Sequence, residues 1–103
     1  MERIEIEHRT ASEIAVVGEI DAATSVELAA AIAALGPDVR LDLAGCTFID
    51  SSGISLLVDL WYAARSNQAR LTLVAPSPPV QRLLAMCGLT ESFDIEATSV
   101  AAR

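Results

Sequence analysis

Residues 39–58 read VRLDLAGCTFIDSSGISLLV. The spacing of the apolar residues changes within this stretch, and that change decides the fold. Apolar and polar residues alternate over residues 39–43, which predicts a half-buried strand. Apolar residues then recur at helical spacing from Ser51 or Ser52 to about Ser66, which predicts a helix. The stretch therefore predicts a strand followed by a helix, as in an α/β fold.

The connection between these two elements, residues 46–53, reads CTFIDSSG. Unpaired backbone N–H groups and the helix dipole favour an anion at such a point. Asp50, Ser51 and Ser52 are good capping residues, and Gly53 leaves the backbone uncovered. Taken alone, the four residues are better explained by an ordinary helix cap, so this pattern does not by itself identify a function.

The N-terminal third of the chain predicts a hairpin and a first helix. Alternation over residues 3–8 and the β-branched run at 13–19 predict two paired strands. Capping residues at 21–25 precede an alanine-rich run with apolar residues at helical spacing, which Gly36 and Pro37 end.

The C-terminal part predicts a strand at 70–75, a helix opened at 77–79 and closed by Gly88, and a short strand at 93–95. The order β-β-α-β-α-β-α-β predicts a mixed sheet of four to five strands packed by three to four helices. We expect one domain over 1–103, in which residues 97–103 form a short terminal helix or a loose tail.

Composition excludes several classes of function. The chain has 103 residues, 52% of them hydrophobic, which suits one folded domain. Its net charge of −7 disfavours direct binding to nucleic acid or to an anionic membrane. Two separate cysteines and one histidine are too few for a zinc site, and we expect no metal and no cofactor. Charged residues interrupt the apolar runs, and the N-terminus does not resemble a signal peptide, so we expect a cytoplasmic protein.

Three motifs in a fixed order are more specific than any of these features. They are GEID at 18–21, FIDSSGI at 48–54 and PVQRLLAMCGL at 79–89. In order and spacing they resemble the STAS family, and within it the bacterial anti-sigma factor antagonists. The resemblance covers nearly the whole chain and implies a STAS-like α/β domain.

The resemblance also implies a mechanism called partner switching. The serine directly after the aspartate, Ser51 here, is the residue that a partner anti-sigma factor phosphorylates, since that partner is itself a serine kinase. Ser52 and Gly53 match the rest of the switch loop that Asp50 opens, and Asp21 matches an acidic residue near it. The unphosphorylated antagonist sequesters the anti-sigma factor and frees the sigma factor, phosphorylation ends the binding, and a phosphatase restores it. We expect a monomer or a weak dimer.

The charge that a phosphate adds at Ser51 is large, about −1.5 to −2. A helix N-terminus attracts an anion by roughly 0.3–1 kcal/mol. Repulsion from Asp50, with Asp21 and Glu19 as possible neighbours, reaches about 3 kcal/mol for unit charges about 5 Å apart at an effective dielectric of about 20. We therefore expect the phosphate to be tolerated at an exposed helix end and to be costly inside a closed interface.

The second helix has a wider apolar stripe than one sheet needs, roughly 200° against about 100°. One edge of the stripe, either Leu56 with Leu60 or Ile54 with Val58, could face solvent and bind the partner. Alternatively, neighbouring helices cover the stripe completely.

Two other classes of function stay open. A STAS module can instead act as a structural or regulatory subunit of a lipid-transport or anion-transport assembly, with the serine loop as an anchor. An enzyme is the weakest reading, because the chain has no Gly-x-Ser-x-Gly elbow and no phosphate-binding Gly-x-x-x-x-Gly-Lys loop.

Overall fold

The computed structural model describes residues 3–97, which form a five-stranded sheet and three helices. In chain order these elements are β1 (Ile4–His8), β2 (Glu13–Ile20), α1 (Ala22–Ala33), β3 (Val39–Ile49), α2 (Ser51–Ser66), β4 (Leu71–Val74), α3 (Pro78–Met86) and β5 (Asp94–Glu96). The predicted order of strands and helices is confirmed. The short terminal helix or loose tail expected over 97–103 lies, apart from Ala97, outside the described residues.

The strands lie in the sheet in the same order as in the chain, β1-β2-β3-β4-β5. β1 and β2 are antiparallel, whereas the other neighbours are parallel, so the sheet is mixed as predicted. The helices connect the parallel strands. Consequently the ends of β2 and β3 lie side by side, and α1 and α2 both begin at that edge.

The core lies mainly between the sheet and its helices. α1 packs on β1, β2 and α2, α2 packs on β3, β4 and α1, and α3 packs on β3. All four residues of β4 are buried and three of them are apolar, as expected for a strand covered on both faces. The apolar side chains with the lowest exposure are Ile14, Val16, Leu28, Leu41, Leu43, Leu73, Val74 and Val80.

β3 is longer than the sequence indicated. Alternation predicted a strand over 39–43, but β3 continues through Ala44 and Gly45 to Ile49. Gly45 lies against β2, where an added Cβ would come within 2.9 Å of Val17 Cγ2. The register with β2 is irregular along this stretch. A close approach between strands, rather than local propensity, therefore explains the extension, and only Asp50 remains between β3 and α2.

The other boundaries differ from the predictions by one or two residues. β4 is one residue shorter at each end than the predicted 70–75 strand. At its C-terminal end the strand stops before Ala75, because Ala75 has a positive φ of 48°. The last strand occupies Asp94–Glu96, one residue later than predicted, because its pairing with β4 sets its position. Gly88 follows α3 with a φ of 68°, as expected for a glycine that ends a helix.

Charged side chains connect several strands of the sheet. Buried Glu13 accepts from Arg40 Nε at 2.8 Å and from Arg9 Nη1 at 3.3 Å. Arg40 also pairs with Glu96 at 2.7 Å, and Arg9 pairs with buried Asp42. The hydrogen bond to Asp42 raises the pKa of the Arg9 guanidinium above its ordinary value. Pairing of this kind offsets the cost of removing the carboxylates from water.

Gly18 allows β1 and β2 to approach, and its replacement tests this part of the fold. Its φ is 117°, and an added Cβ would lie 2.2 Å from the Arg3 carbonyl oxygen. We expect Gly18→Ala to lower the free energy of unfolding by about 1–3 kcal/mol or more, measured by urea denaturation. Gly36 is the control, because no atom lies within 4 Å of its added Cβ. Equal stability of the two variants would contradict this explanation.

Candidate functional site

Two aspartates follow neighbouring strands at the same edge of the sheet. Asp21 follows β2 and Asp50 follows β3, and the last residues of these strands, Ile20 and Ile49, are register partners. The Asp50 amide donates to the Ile20 carbonyl at 3.2 Å. Since paired strands lie about 4.8 Å apart, the starts of α1 and α2 are close neighbours.

Asp50 caps α2, as the sequence predicted. Its Oδ1 accepts hydrogen bonds from the amides of Ser52 at 2.9 Å and Gly53 at 3.3 Å. Its carbonyl accepts from the Ile54 amide at 3.1 Å. The carboxylate therefore already occupies two of the amides that a helix N-terminus offers to an anion.

Ser51 is the first residue of α2, and its side chain is exposed. Within residues 3–97 its hydroxyl makes no hydrogen bond. Ser52 is the next residue and is half-buried. Of the two serines, Ser51 is thus the more accessible to a second protein.

Gly53 has a different role from the one the sequence suggested. We expected it to leave the backbone uncovered and permit close approach, but it is buried. An added Cβ would lie 2.5 Å from Ile49 Cγ1 and 2.9 Å from Ile20 Cγ2. The glycine allows the first turn of α2 to pack directly on the ends of β2 and β3.

Asp21 caps α1 with a reciprocal pair of hydrogen bonds. Its Oδ1 accepts from the amides of Ala23 at 3.1 Å and Thr24 at 3.0 Å, and the Thr24 hydroxyl accepts from the Asp21 amide at 2.8 Å. The Asp21 carboxylate also pairs with Arg3, which lies 3.7 Å from Glu19. Arg3 offsets part of the negative charge on this side of the site.

The apolar stripe of α2 is mostly covered. The edge formed by Ile54 and Val58 was one of two alternatives for a solvent-facing edge, but Ile54 is only 8% exposed. It precedes fully buried Leu57 by three residues and therefore shares its face of the helix. Leu56, Val58 and Leu60 are half-buried and pack against the core. These three retain more accessible surface than Ile54.

A groove between α1 and α2 runs past the two serines, and we call it the α1–α2 groove. Its lining comprises Ser25, Val26, Ala29, Ser51, Ser52, Ser55, Leu56 and Asp59. From the sequence we expected the switch on α2 with Asp21 near it, and nothing indicated that residues of α1 such as Val26 line the surface beside the serines. The sequence did contain evidence that Val26 faces away from the core. At about 100° per residue, Val26 lies about 200° around the helix from Leu28, which belongs to the core face.

The described residues contain no candidate metal centre and no helix for a membrane. Within residues 3–97, no three His, Cys, Asp or Glu side chains are grouped to hold a metal ion. Among the helices of that range, none has both the length and the apolar character needed to cross a bilayer.

Comparison with known proteins decides the family. The family model described as "Mlab, STAS domain" matches residues 6–96. The chain belongs to the STAS domain family. The resemblance seen in the three motifs is thereby confirmed.

Relatives of this STAS domain are similar over nearly their whole length. An anti-sigma-B factor antagonist from Listeria monocytogenes is 31% identical over 99 residues, covering 90% of this chain and 87% of the relative. The solved structure of the anti-sigma factor antagonist SpoIIAA in its unphosphorylated form has a TM-score of 0.73 and 24% identity, over 96% of this chain and 91% of that chain. The Bacillus cell fate determinant SpoIIAA in the phosphorylated form has a TM-score of 0.69 and 22% identity, over 96% and 95%. These likenesses confirm the predicted α/β fold.

The cap of α2 in this STAS domain is directly testable. We expect Asp50→Ala to lower the free energy of unfolding by about 0.5–2 kcal/mol, because two first-turn amides lose their acceptor. Urea denaturation measures the change. Asp59→Ala is the matched control, since Asp59 is an exposed acidic residue of the same helix and has no capping bond. An equal loss in both variants would show that negative charge, and not the cap, matters.

Proposed function

We propose that this chain is an anti-sigma factor antagonist switched by phosphorylation at Ser51. In the unphosphorylated form it sequesters an anti-sigma factor that is also a serine kinase, and the sigma factor is released. Phosphorylation ends this binding, and a phosphatase restores it. The chain thus acts as a regulatory binding protein and has no catalytic role. The observation that supports the proposal most directly is the exposed Ser51 hydroxyl on the first turn of α2, in a chain whose relatives are named antagonists.

Accessibility of Ser51 is the first step of the argument. A kinase must bring a phosphoryl group to the hydroxyl, which requires that no packed side chain covers it. Ser51 is exposed and its hydroxyl is not committed to a hydrogen bond within the described residues. The hydroxyl is therefore available both to an enzyme and to a binding partner.

The second step concerns the charge that phosphorylation adds. Asp50 already accepts from the amides of Ser52 and Gly53, so a phosphate on Ser51 gains these donors only by displacing the carboxylate. The remaining attraction of the helix dipole is about 0.3–1 kcal/mol. Repulsion from a carboxylate about 5 Å away is roughly 3 kcal/mol at an effective dielectric of about 20. The phosphate therefore favours water over a closed interface.

The third step is that the switch needs no refolding. The cap, the Gly53 contact and the β2–β3 register all involve groups other than the Ser51 hydroxyl. A phosphate can project from the first turn while these contacts persist. The similarity of this fold to SpoIIAA in both its unphosphorylated and its phosphorylated form supports this step.

The serine variants test the proposal. We expect Ser51→Ala to take up no phosphate and to retain the partner, because the surface stays neutral. We expect Ser51→Asp to weaken binding about tenfold, since its charge enters the interface. Phosphate uptake is measured by mass spectrometry after incubation with ATP and the serine kinases of the native cell, and binding by calorimetry. Ser52→Ala is the control and should behave as the unchanged chain.

Two results would contradict the proposal. Uptake of one phosphate by Ser51→Ala would move the acceptor to Ser52. If the unchanged chain accepts no phosphate from any of these kinases, Ser51 is an anchor in a structural module, as in a transport assembly.

A further inference from the structure

A cavity lies at the edge of the sheet opposite to the serines. The C-terminal parts of α1 and α2 and the starts of β3 and β4 surround it, and its volume is about 300 Å³. Pockets that bind small molecules have volumes of about 300–1,000 Å³. Since β3 has 11 residues, roughly 30 Å separate this cavity from Ser51 at the other end of the strand. We call it the far-edge cavity.

Apolar side chains from both helical segments and both strands line the far-edge cavity. The larger ones are Ile32, Leu35, Val39, Leu60 and Leu71. Ile32 and Leu71 are buried, and the other three are half-buried. Exposed Ala33, Gly36 and Ala63 also belong to the lining, and their small size leaves the cavity open to solvent. A hydrocarbon chain that enters here exchanges water for an apolar lining, which favours binding.

Two polar side chains line the cavity within residues 3–97, and one of them is already used. Asn67 Nδ2 donates to the Ala63 carbonyl at 2.9 Å. The other is Arg70, whose side chain is 74% exposed. Its ion pair within that range joins Nε to Asp94 Oδ2 at 3.8 Å, which exceeds hydrogen-bond distance. The N–H groups of this guanidinium are therefore available to an anion.

The backbone holds Arg70 in place beside the cavity. Its amide donates to Asp38 Oδ1 at 2.8 Å, and its carbonyl accepts from the Val39 amide at 2.9 Å. Binding of an anion therefore has to order only the arginine side chain and not the chain around it.

An adjoining cavity of about 280 Å³ determines the charge that a ligand meets at Arg70. The two cavities share Ala64, Ala69, Arg70 and Leu71. The adjoining one also contains Asp94 and Arg65, whose guanidinium carbon lies 4.9 Å from the centre of the Trp61 ring. Two guanidiniums and one carboxylate leave one net positive charge here, in a chain whose total is −7. This local charge suits a singly charged carboxylate, whereas a doubly charged phosphate is repelled more strongly by Asp94.

We propose that the far-edge cavity binds a medium-chain aliphatic carboxylate, whose hydrocarbon chain lies against Leu60 and Leu71 and whose carboxylate accepts from Arg70. An apolar cavity of about 150 Å³ is enough for a benzene molecule, so this volume suits a chain of roughly eight to ten carbons. Arginine presents two parallel N–H groups to a carboxylate, which makes the pair specific as well as strong. The site is separate from Ser51 and does not rest on the proposed function.

Decanoate is the probe, and Trp61 supplies the signal. Trp61 is the single tryptophan of the chain and lines the adjoining cavity, so its fluorescence reports binding at Arg70. We expect decanoate, titrated below the concentration at which it forms micelles, to bind the full chain saturably in a one-to-one ratio. Calorimetry gives the Kd. Decanol, which has the same chain and no charge, should bind at least about tenfold more weakly.

An arginine variant tests the carboxylate contact. We expect Arg70→Gln to raise the Kd of decanoate at least about tenfold and to leave that of decanol unchanged, because only the charged head group loses its partner. Arg82→Gln is the matched control, since Arg82 is an exposed arginine of α3 and its replacement changes the net charge equally. It should leave both Kd values unchanged.

A second variant tests the position of the hydrocarbon chain. We expect Ala63→Phe to raise the Kd of both probes at least about tenfold, since the ring fills space in the cavity. Ala30→Phe is the control, because Ala30 is an exposed alanine of α1 outside the lining. Circular dichroism establishes that each variant is folded.

The outcomes decide the assignment independently of the switch. It is overturned if decanoate shows no saturable binding, or if Ala63→Phe binds decanoate with unchanged Kd. Equal affinity for decanoate and decanol, or an unchanged Kd in Arg70→Gln, would contradict the carboxylate contact. Tighter binding of decyl phosphate than of decanoate would show that the head group is wrong. None of these results alters the proposed function, which depends on Ser51.

Discussion

The pairing of Ile20 with Ile49 across two parallel strands is the constraint on which the site depends. It brings the ends of β2 and β3 together, so that both following helices begin at one edge with an aspartate cap. Gly53 then lets α2 rest directly on both isoleucines. A larger residue there would push the first turn of α2 outward and move Ser51 with it. The location of one exposed hydroxyl is thus set by buried contacts.

This helix start differs in one respect from those that bind phosphate. Anion-binding helix N-termini present free amides, whereas here the Asp50 carboxylate already uses those of Ser52 and Gly53. An added phosphate meets a site whose donors are taken and whose nearest charge has the same sign. The physical chemistry of this turn therefore favours a phosphate that repels a partner over one that the domain itself binds.

Much of the fold was predictable because its signals are local. The alternation at 39–43, the caps at Asp21 and Asp50, and the start of α2 all follow from neighbouring residues. The extension of β3 was not predictable, because it depends on the fit of Gly45 against another strand. The exposed side of α2 was equally unpredictable, because a wide apolar stripe does not show which of its edges α1 covers. Tertiary neighbours decide both.

The two outer strands of the sheet have a consequence for how the protein behaves in concentrated solution. β1 and β5 lie at the borders, and Glu5, Glu7 and Asp94 on them are exposed. Acidic side chains on border strands discourage hydrogen bonding to the backbone of another copy, which is a common start of aggregation. This molecule is thus protected against lateral growth of its sheet.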